Sequence, residues 1–216
     1  MQIYKEIIQW TQEWLELRAW VITWTKLKWV MWWPKAQETQ IFELIWEEFA
    51  PIEEWYKSPA MERWNELEWI AKAKYEELTK LIVEEVWFIK SDKYKDDFWS
   101  WLGLSPDWII PFWEWGIYKQ AIEIKCPWAK NHAKYIIENK LPDDYKNQVI
   151  NYFLVMKDLE ELDFITFHPD FYIKDKKLHI IKVTRENLKD DIEKAEKRLL
   201  EFRVKWLEKI NLLNKK

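Results

Sequence analysis

The sequence predicts an α+β domain, and three observations predict it. Apolar residues recur at helical spacing through residues 1–80, strand-like apolar segments begin at Leu81, and helical spacing returns toward the end of the chain. Strands gathered after a block of helices, without regular alternation, favour α+β over a doubly wound sheet. At 216 residues the chain suits one domain with a substantial core. We therefore read 1–216 as a single unit, with a helical part at 1–80, a sheet core at 81–183 and a C-terminal helix at 184–216.

The elements follow in order. Ile3, Ile7, Ile8, Trp14 and Leu15 repeat at helical spacing among charges, which predicts a helix over 2–18. Thr23 is placed to cap a short helix that runs to Met31 and stops before Pro34. Residues 36–49 and 59–79 predict two more helices, the second favoured by Pro59 in its first turn. Residues 81–89 and 103–110 read as strands, and 118–125 as a third with alternation. The stretch 112–116 is short and turn-like, so the last two should form an antiparallel hairpin. Helices follow at 129–138 and 144–157, the second capped by Asp143 or Asp144. Residues 164–167 and 178–183 read as strands. A long charged helix over 185–212 carries the stripe Leu188, Ile192, Leu199, Phe202, Trp206 and Ile210.

Composition excludes several classes. With 49% hydrophobic and 33% charged residues the chain is neither disordered nor fibrous. A net charge of -4 excludes the simplest basic-protein route to nucleic acid, though a local basic groove fits inside an acidic average. The lone cysteine, Cys126, excludes an internal disulfide framework and fits a reducing cytosol. No stretch has the form of a signal peptide, and none reaches about 18 uninterrupted apolar residues. The expected setting is cytoplasmic, without a membrane partner.

The chain has 19 Trp and only 2 Gly, where ordinary usage gives roughly 15 Gly. Many Trp stand where turns call for glycine: Trp32 and Trp33 before Pro34, Trp113 and Trp115 beside Gly116, Trp99 and Trp101 before Gly103. We read most of these as glycine codons translated as tryptophan, as happens when a UGA-as-glycine code is misread. Trp10, Trp14, Trp55 and Trp206 lie in helical contexts and read as true tryptophan. Peptide mass spectrometry of the native protein at 108 and 128 tests this; intact Trp at both ends the idea.

Chemistry concentrates in Ser105-Pro106-Asp107 and, sixteen residues after Asp107, in Glu123-Ile124-Lys125. Together they form a PD-(D/E)xK signature. Phosphodiester hydrolysis uses a divalent metal to neutralise phosphate, activate water and support the leaving oxygen. Hard cations take oxygen ligands, mostly carboxylates and carbonyls. Asp107 at the end of one strand and Glu123 on the next can converge on one ion, with the Ile124 carbonyl as a further ligand. Glu123 and Lys125, two apart on a strand, share a face, which sets an ammonium beside the ion to orient or deprotonate water. His132, His168 and His179 lack metal-ligand spacing. Cys126 lacks the context of a nucleophile and reads as a small core residue.

Here the residues resemble a known family. Gly103-Leu104-Ser105-Pro106-Asp107-Trp108 is similar to G-x-SPDG, and Glu123-Ile124-Lys125-Cys126-Pro127 to EIKCP, of the YqaJ-like viral recombinases. These are the lambda-exonuclease-like branch of the PD-(D/E)xK nucleases. His132, then Pro142, Tyr145 and Gln148, resemble its H…iP-x-x-Y-x-x-Q segment. Arg63-Trp64 with Glu68 resembles R-G-x-x-x-E, and Arg18 with Ile22-Thr23-Trp24-Thr25 resembles R-x-x-x-I-T-G-S/T. Arg185-Glu186-Asn187 and Phe202 resemble the closing motif.

The resemblance implies a restriction-endonuclease-like core, a central mixed β-sheet flanked by helices, with two Mg²⁺ or Mn²⁺ ions held on Asp107 and Glu123. It implies Glu68 as a further carboxylate near the metals, Lys125 positioning the water, and Gln148 supporting the site. Arg63 and Ser105 would contact phosphate. The implied activity is 5′-to-3′ degradation of one strand from double-stranded DNA ends. The remaining 3′ strand would serve a single-strand annealing recombinase, and the enzyme would be a homo-trimer. A repair nuclease of other polarity, a silent DNA-binding module and a purely structural helical protein are the alternatives. The chain departs from the pattern at Trp64 and Trp108, where glycine is expected. Real indoles there would crowd the rim of the site and strain positive-φ positions by about 1–3 kcal/mol each.

Overall fold

The computed structural model describes residues 1–32, 34–50, 59–96, 99–111 and 117–215, with the backbone alone at 59–65, 96 and 99. A mixed four-stranded sheet carries the site. Its strands are β6 (Trp108–Ile110), β7 (Gln120–Lys125), β8 (Glu161–Phe167) and β9 (Leu178–Thr184), in that order. For orientation, β1 is Gln2–Tyr4, β2 Phe88–Lys90, β3 Lys95–Asp96, β4 Trp99–Ser100 and β5 Gly103–Leu104. The pair β7–β8 is parallel, and β6–β7 and β8–β9 are antiparallel. A second sheet has the order β1-β2-β5, and β3 pairs with β4 alone.

Seven helices are described: α1 Gln12–Arg18, α2 Trp24–Val30, α3 Pro34–Phe49, α4 Pro59–Thr79, α5 Ala129–Glu138, α6 Asp143–Val155 and α7 Lys189–Asn214. Two apolar layers sandwich the four-stranded sheet. On one side Ala71 and Tyr75 of α4 bury Ile122, Ile124 and Ile165. On the other, Val149, Tyr152 and Phe153 of α6 pack with Ala121, Phe164 and the α7 stripe Leu199, Phe202 and Trp206. Each fully buried side chain of this size contributes roughly 1.5–3 kcal/mol. The α+β architecture expected from the sequence, a mixed sheet with helices on both faces, is the one observed.

Differences from the expectations have identifiable causes. Residues 2–18 are not one helix: Gln2–Tyr4 pairs antiparallel with Phe88–Lys90 as β1, so a long-range ladder overrides the helical spacing of Ile3 and Ile7. The stretch 81–89 forms a regular strand only at its end, preceded by an isolated bridge from Glu84 to Ile109. Residues 103–110 split into β5 and β6 because Pro106 has no amide hydrogen to give a ladder. The cap of α6 is Pro142, with Asp143 and Asp144 already inside the first turn, where their charge still favours the helix N-terminus. The hairpin β6–β7 forms as expected, while its connection at 112–116 lies outside the described residues.

The tryptophans divide. Trp14 and Trp206 are buried in helices, in keeping with true Trp. Trp10, read as helical, lies instead in a turn before α1 with φ 71°, and Trp20 has φ 47°. Those are left-handed conformations that suit glycine and cost a bulky residue about 1–2 kcal/mol. Trp108 does not have the expected positive φ: it sits in β6 paired with Ile122, where extended backbone accepts any side chain. Trp33, Trp55, Trp113, Trp115 and Gly116, and the side chains of Trp64 and Trp99, lie outside the described residues. Gly103 is needed for close approach, since an added Cβ would lie 2.6 Å from Phe88 Cζ and 2.8 Å from Val21 Cγ1.

Candidate active site

The break at Pro106 places the first acidic residue. Asp107 directly precedes β6, and continuing the register one step beyond Trp108↔Ile122 sets it across from Glu123. The Ile124 amide donates to Asp107 Oδ2 at 2.7 Å, which fixes the carboxylate against β7. Glu123 is fully buried and directed at α6. There Gln148 Nε2 donates to its Oε1 and the Tyr152 hydroxyl to its Oε2, both at 2.5 Å. The same hydroxyl accepts from the Asp107 amide at 3.0 Å. Lys125 forms an ion pair with Glu123 Oε1, and its ammonium lies 5.6 Å from the ring centre of Tyr145.

The electrostatics are those of a site with too many carboxylates. Burial, then the charge of Glu123, raises Asp107 well above the ordinary carboxylate range, against the pull of Lys125. Glu68 on α4 is pushed to about 7 by burial, with Glu123 adding to the rise and Lys125 opposing it. Burial works against the Lys125 ammonium, but Glu123 and Asp107 outweigh it and hold the amine above an ordinary lysine. Three acids thus face one base in low dielectric.

Of the residues expected from the sequence, Asp107, Glu123, Lys125 and Gln148 meet in one cluster, with Glu68 in electrostatic range. Ile124 contributes its amide to Asp107. Ser105 stands apart from the carboxylates and accepts a 2.5 Å hydrogen bond from Arg18 Nη1. Arg63 lies on α4 with its side chain outside the described residues. His132 is buried with Nε2 2.7 Å from the Lys176 carbonyl, a packing role. Cys126 is pushed up to about 12 by burial and by Glu68, which suits an inert thiol. Arg185 ties the end of α6 to β9 by donating to the carbonyls of Leu159, Phe153 and Met156.

Tyr152 escaped the sequence reading, and Arg18 entered it only through a motif, with no role assigned. Tyr152 lies in an apolar run, although its spacing of four from Gln148 sets both on one helical face. Arg18 is half-buried at the end of α1, against the rings of Trp14 and Phe88 at 4.2 and 5.7 Å, with its pKa lowered to about 10 by desolvation. Beside the carboxylates a cleft of about 200 Å³ is lined by Trp10, Glu68, Trp69, Pro106, Asp107 and Trp108. The Trp108 indole does stand at the rim of the site, edge-on to Trp69 with ring centres 4.8 Å apart.

The donor set fits a hard divalent cation. Among the described residues no three His, Cys, Asp or Glu side chains form a preformed cage. Mg²⁺ takes one or two carboxylates and keeps several waters, which matches Asp107 and Glu123. Gln148 Oε1 is buried without a hydrogen-bond partner, an acceptor left over at the same place.

Comparisons with known proteins bear on the fold and the family. Among solved structures, an alkaline exonuclease, LHK-Exo, from Laribacter hongkongensis is 24% identical with a TM-score of 0.70, covering 95% of this chain and 99% of its own. The same exonuclease in complex with dAMP gives 25% identity, a TM-score of 0.70 and the same coverage. A phage-related exonuclease from Haemophilus somnus 129PT is 14% identical with a TM-score of 0.54, over 91% of this chain and 99% of its own. No match is found among curated proteins. The profile of the YqaJ-like viral recombinase domain matches residues 13–157, which include Asp107, Glu123, Lys125, Gln148 and Tyr152. The chain belongs to the YqaJ-like viral recombinase domain family.

Proposed function

We propose that this phage-type nuclease is a divalent-metal-dependent exonuclease that shortens one strand of duplex DNA from its ends. The observation that carries the reading is the meeting of Asp107, Glu123 and Lys125 across β6 and β7, with more negative charge than the protein itself neutralises. A similar exonuclease is known in complex with dAMP, a deoxynucleoside monophosphate of the kind that stepwise shortening releases.

Asp107 and Glu123 would hold Mg²⁺ or Mn²⁺, in one or two positions, with the Ile124 carbonyl and Glu68 as added oxygen donors. When bound, the metal neutralises the phosphate and lowers the pKa of water. The Ile124 amide keeps Asp107 aimed, and Gln148 steadies Glu123. Lys125, held cationic by its neighbours, donates a hydrogen bond that orients the attacking water, and is not the base in the metal-free protein. Ser105, with the half-buried Arg18 guanidinium behind it, would offer donors to a phosphate, as would Arg63. The expected polarity is 5′ to 3′, in a homo-trimer of the cytoplasm that leaves 3′ strands for a single-strand annealing recombinase. No described helix is long and apolar enough to cross a membrane.

The test uses duplex DNA labelled at either the 5′ or the 3′ end, beside a closed circle, with Mg²⁺. Early release of the 5′ label from linear DNA, with the circle intact, supports the reading. Early release of the 3′ label reverses the polarity. Binding in Ca²⁺ without cleavage in Mg²⁺ leaves a silent DNA-binding module.

A further inference from the structure

We propose that Tyr152 is a positioning residue that locks Asp107 and Glu123 into one metal-binding geometry through a single hydroxyl. The inference rests on the metal-site reading above and deepens it.

The geometry is specific. The Tyr152 hydroxyl donates to Glu123 Oε2 at 2.5 Å and accepts from the Asp107 amide at 3.0 Å, so one oxygen joins a side chain of β7 to the backbone at the start of β6. The tyrosine is fully buried, and α6 holds it between Val149 and Phe153 in the main core. Gln148, one helical turn earlier, grips the other oxygen of Glu123. A carboxylate held at both oxygens cannot rotate; Oε1 is taken by Gln148 and Lys125, and Oε2, held by Tyr152 alone, keeps a lone pair for a cation. Phenylalanine would retain the ring packing, free Glu123 Oε2 and leave the Asp107 amide without its partner. Partners of this kind outside the ligand set change metal affinity by roughly 10–100-fold.

The test is Mn²⁺ titration by calorimetry of the 216-residue protein, its Tyr152→Phe variant and a Phe153→Leu control. Phe153 is a core neighbour whose ring has no group to hydrogen-bond either carboxylate, so its substitution reports simple loosening of α6. We expect the wild type to bind Mn²⁺, Tyr152→Phe to bind roughly tenfold or more weakly, and Phe153→Leu to bind as the wild type despite a lower Tm. Equal affinity in wild type and Tyr152→Phe overturns the inference while leaving the metal site standing. So does an equal loss in both variants, which assigns the effect to helix packing. A wild type that binds no Mn²⁺ removes the metal site and the inference with it. Should Tyr152→Phe fail to fold, 3-fluorotyrosine placed at 152 keeps the hydroxyl. Its ¹⁹F resonance should shift with Mg²⁺ at the concentrations that saturate the site, and an unmoved resonance overturns the proposal.

Discussion

Two buried carboxylates occupy adjacent central strands and lead different lives. Asp163 on β8 faces α4, where Tyr75 donates to it at 2.6 Å and Gln120 at 3.3 Å, with Lys182 reaching in from solvent at 3.5 Å. Glu123 on β7 faces α6, is equally buried, and is also gripped by a tyrosine, an amide and a lysine. The donor types are the same. What differs is the company: Asp163 shares Gln120 and Lys182 with a single part-exposed carboxylate, Glu161, whereas Glu123 shares its surroundings with Asp107 and Glu68, whose pKa values are driven upward. A buried acid that serves the fold is balanced locally. One that awaits a cation is left with a surplus of negative charge, at a cost in stability to the empty site.

The largest expected effect separates the two sites by activity. Lys125→Ala should lower DNA cleavage by about 10²–10⁴-fold, the range for a group that handles the proton or water. Asp163→Asn should leave the rate per folded molecule within a few-fold; end-labelled duplex on a gel reads both. A matching loss in Asp163→Asn would erase the distinction.

Stability reverses the order. Asp163→Asn or Tyr75→Phe weakens or removes the buried Tyr75–Asp163 hydrogen bond and should cost about 1–3 kcal/mol, or roughly 2–4 °C per kcal/mol in a chain of this size. Calorimetric unfolding at pH 7 in EDTA measures it. Asp107→Asn removes a crowded charge and should raise the Tm of the metal-free protein.

A third expectation concerns pH. Glu68 sits at about 7 when folded, against about 4.3 unfolded, so the unfolded state loses its proton first. A raised acid contributes stability that is complete below about pH 4.3 and lost as pH climbs through about 7. The metal-free protein should therefore lose on the order of 1–3 kcal/mol over that window, shared with its coupled neighbours. Glu68→Gln should flatten the slope. Saturating Mg²⁺ should restore stability at pH 8, by about 2.7 kcal/mol at a hundred times its Kd. A Tm that rises over the window, with Glu68→Gln unchanged, would contradict this.

The smallest effect lies at the tryptophans. Trp10→Gly should be more stable than Trp10→Ala by about 1 kcal/mol, because φ 71° favours glycine once the indole is gone. At Trp108, in extended backbone, alanine should equal or exceed glycine. Thermal unfolding of the four variants checks both orders.

Much of this was legible in the sequence because it is local. Ile122 and Ile124 alternating with Glu123 and Lys125 fixed the faces of β7, and the motif spacing foretold the hairpin that joins Asp107 to Glu123. Long-range partners left no such trace. Nothing near Ile3 signals that it will pair with Ile89, and nothing near Ser105 signals that Arg18 will reach it across 87 positions. Tyr152 was hidden for another reason: a tyrosine between Asn151 and Phe153 in an apolar helix reads as core, and it is core except for its hydroxyl. The glycine-like role of Trp20 was equally invisible, since a left-handed φ belongs to the turn and not to the residue.

The most direct single measurement is cleavage of linear duplex DNA at pH 8 by the wild type and by folded Glu123→Gln, each in Mg²⁺ and in EDTA. We expect cleavage by the wild type in Mg²⁺ alone, with Glu123→Gln inactive in both. Cleavage that survives EDTA or the loss of the Glu123 charge, or a folded wild type that never cuts, would contradict a metal-dependent nuclease built on Asp107 and Glu123.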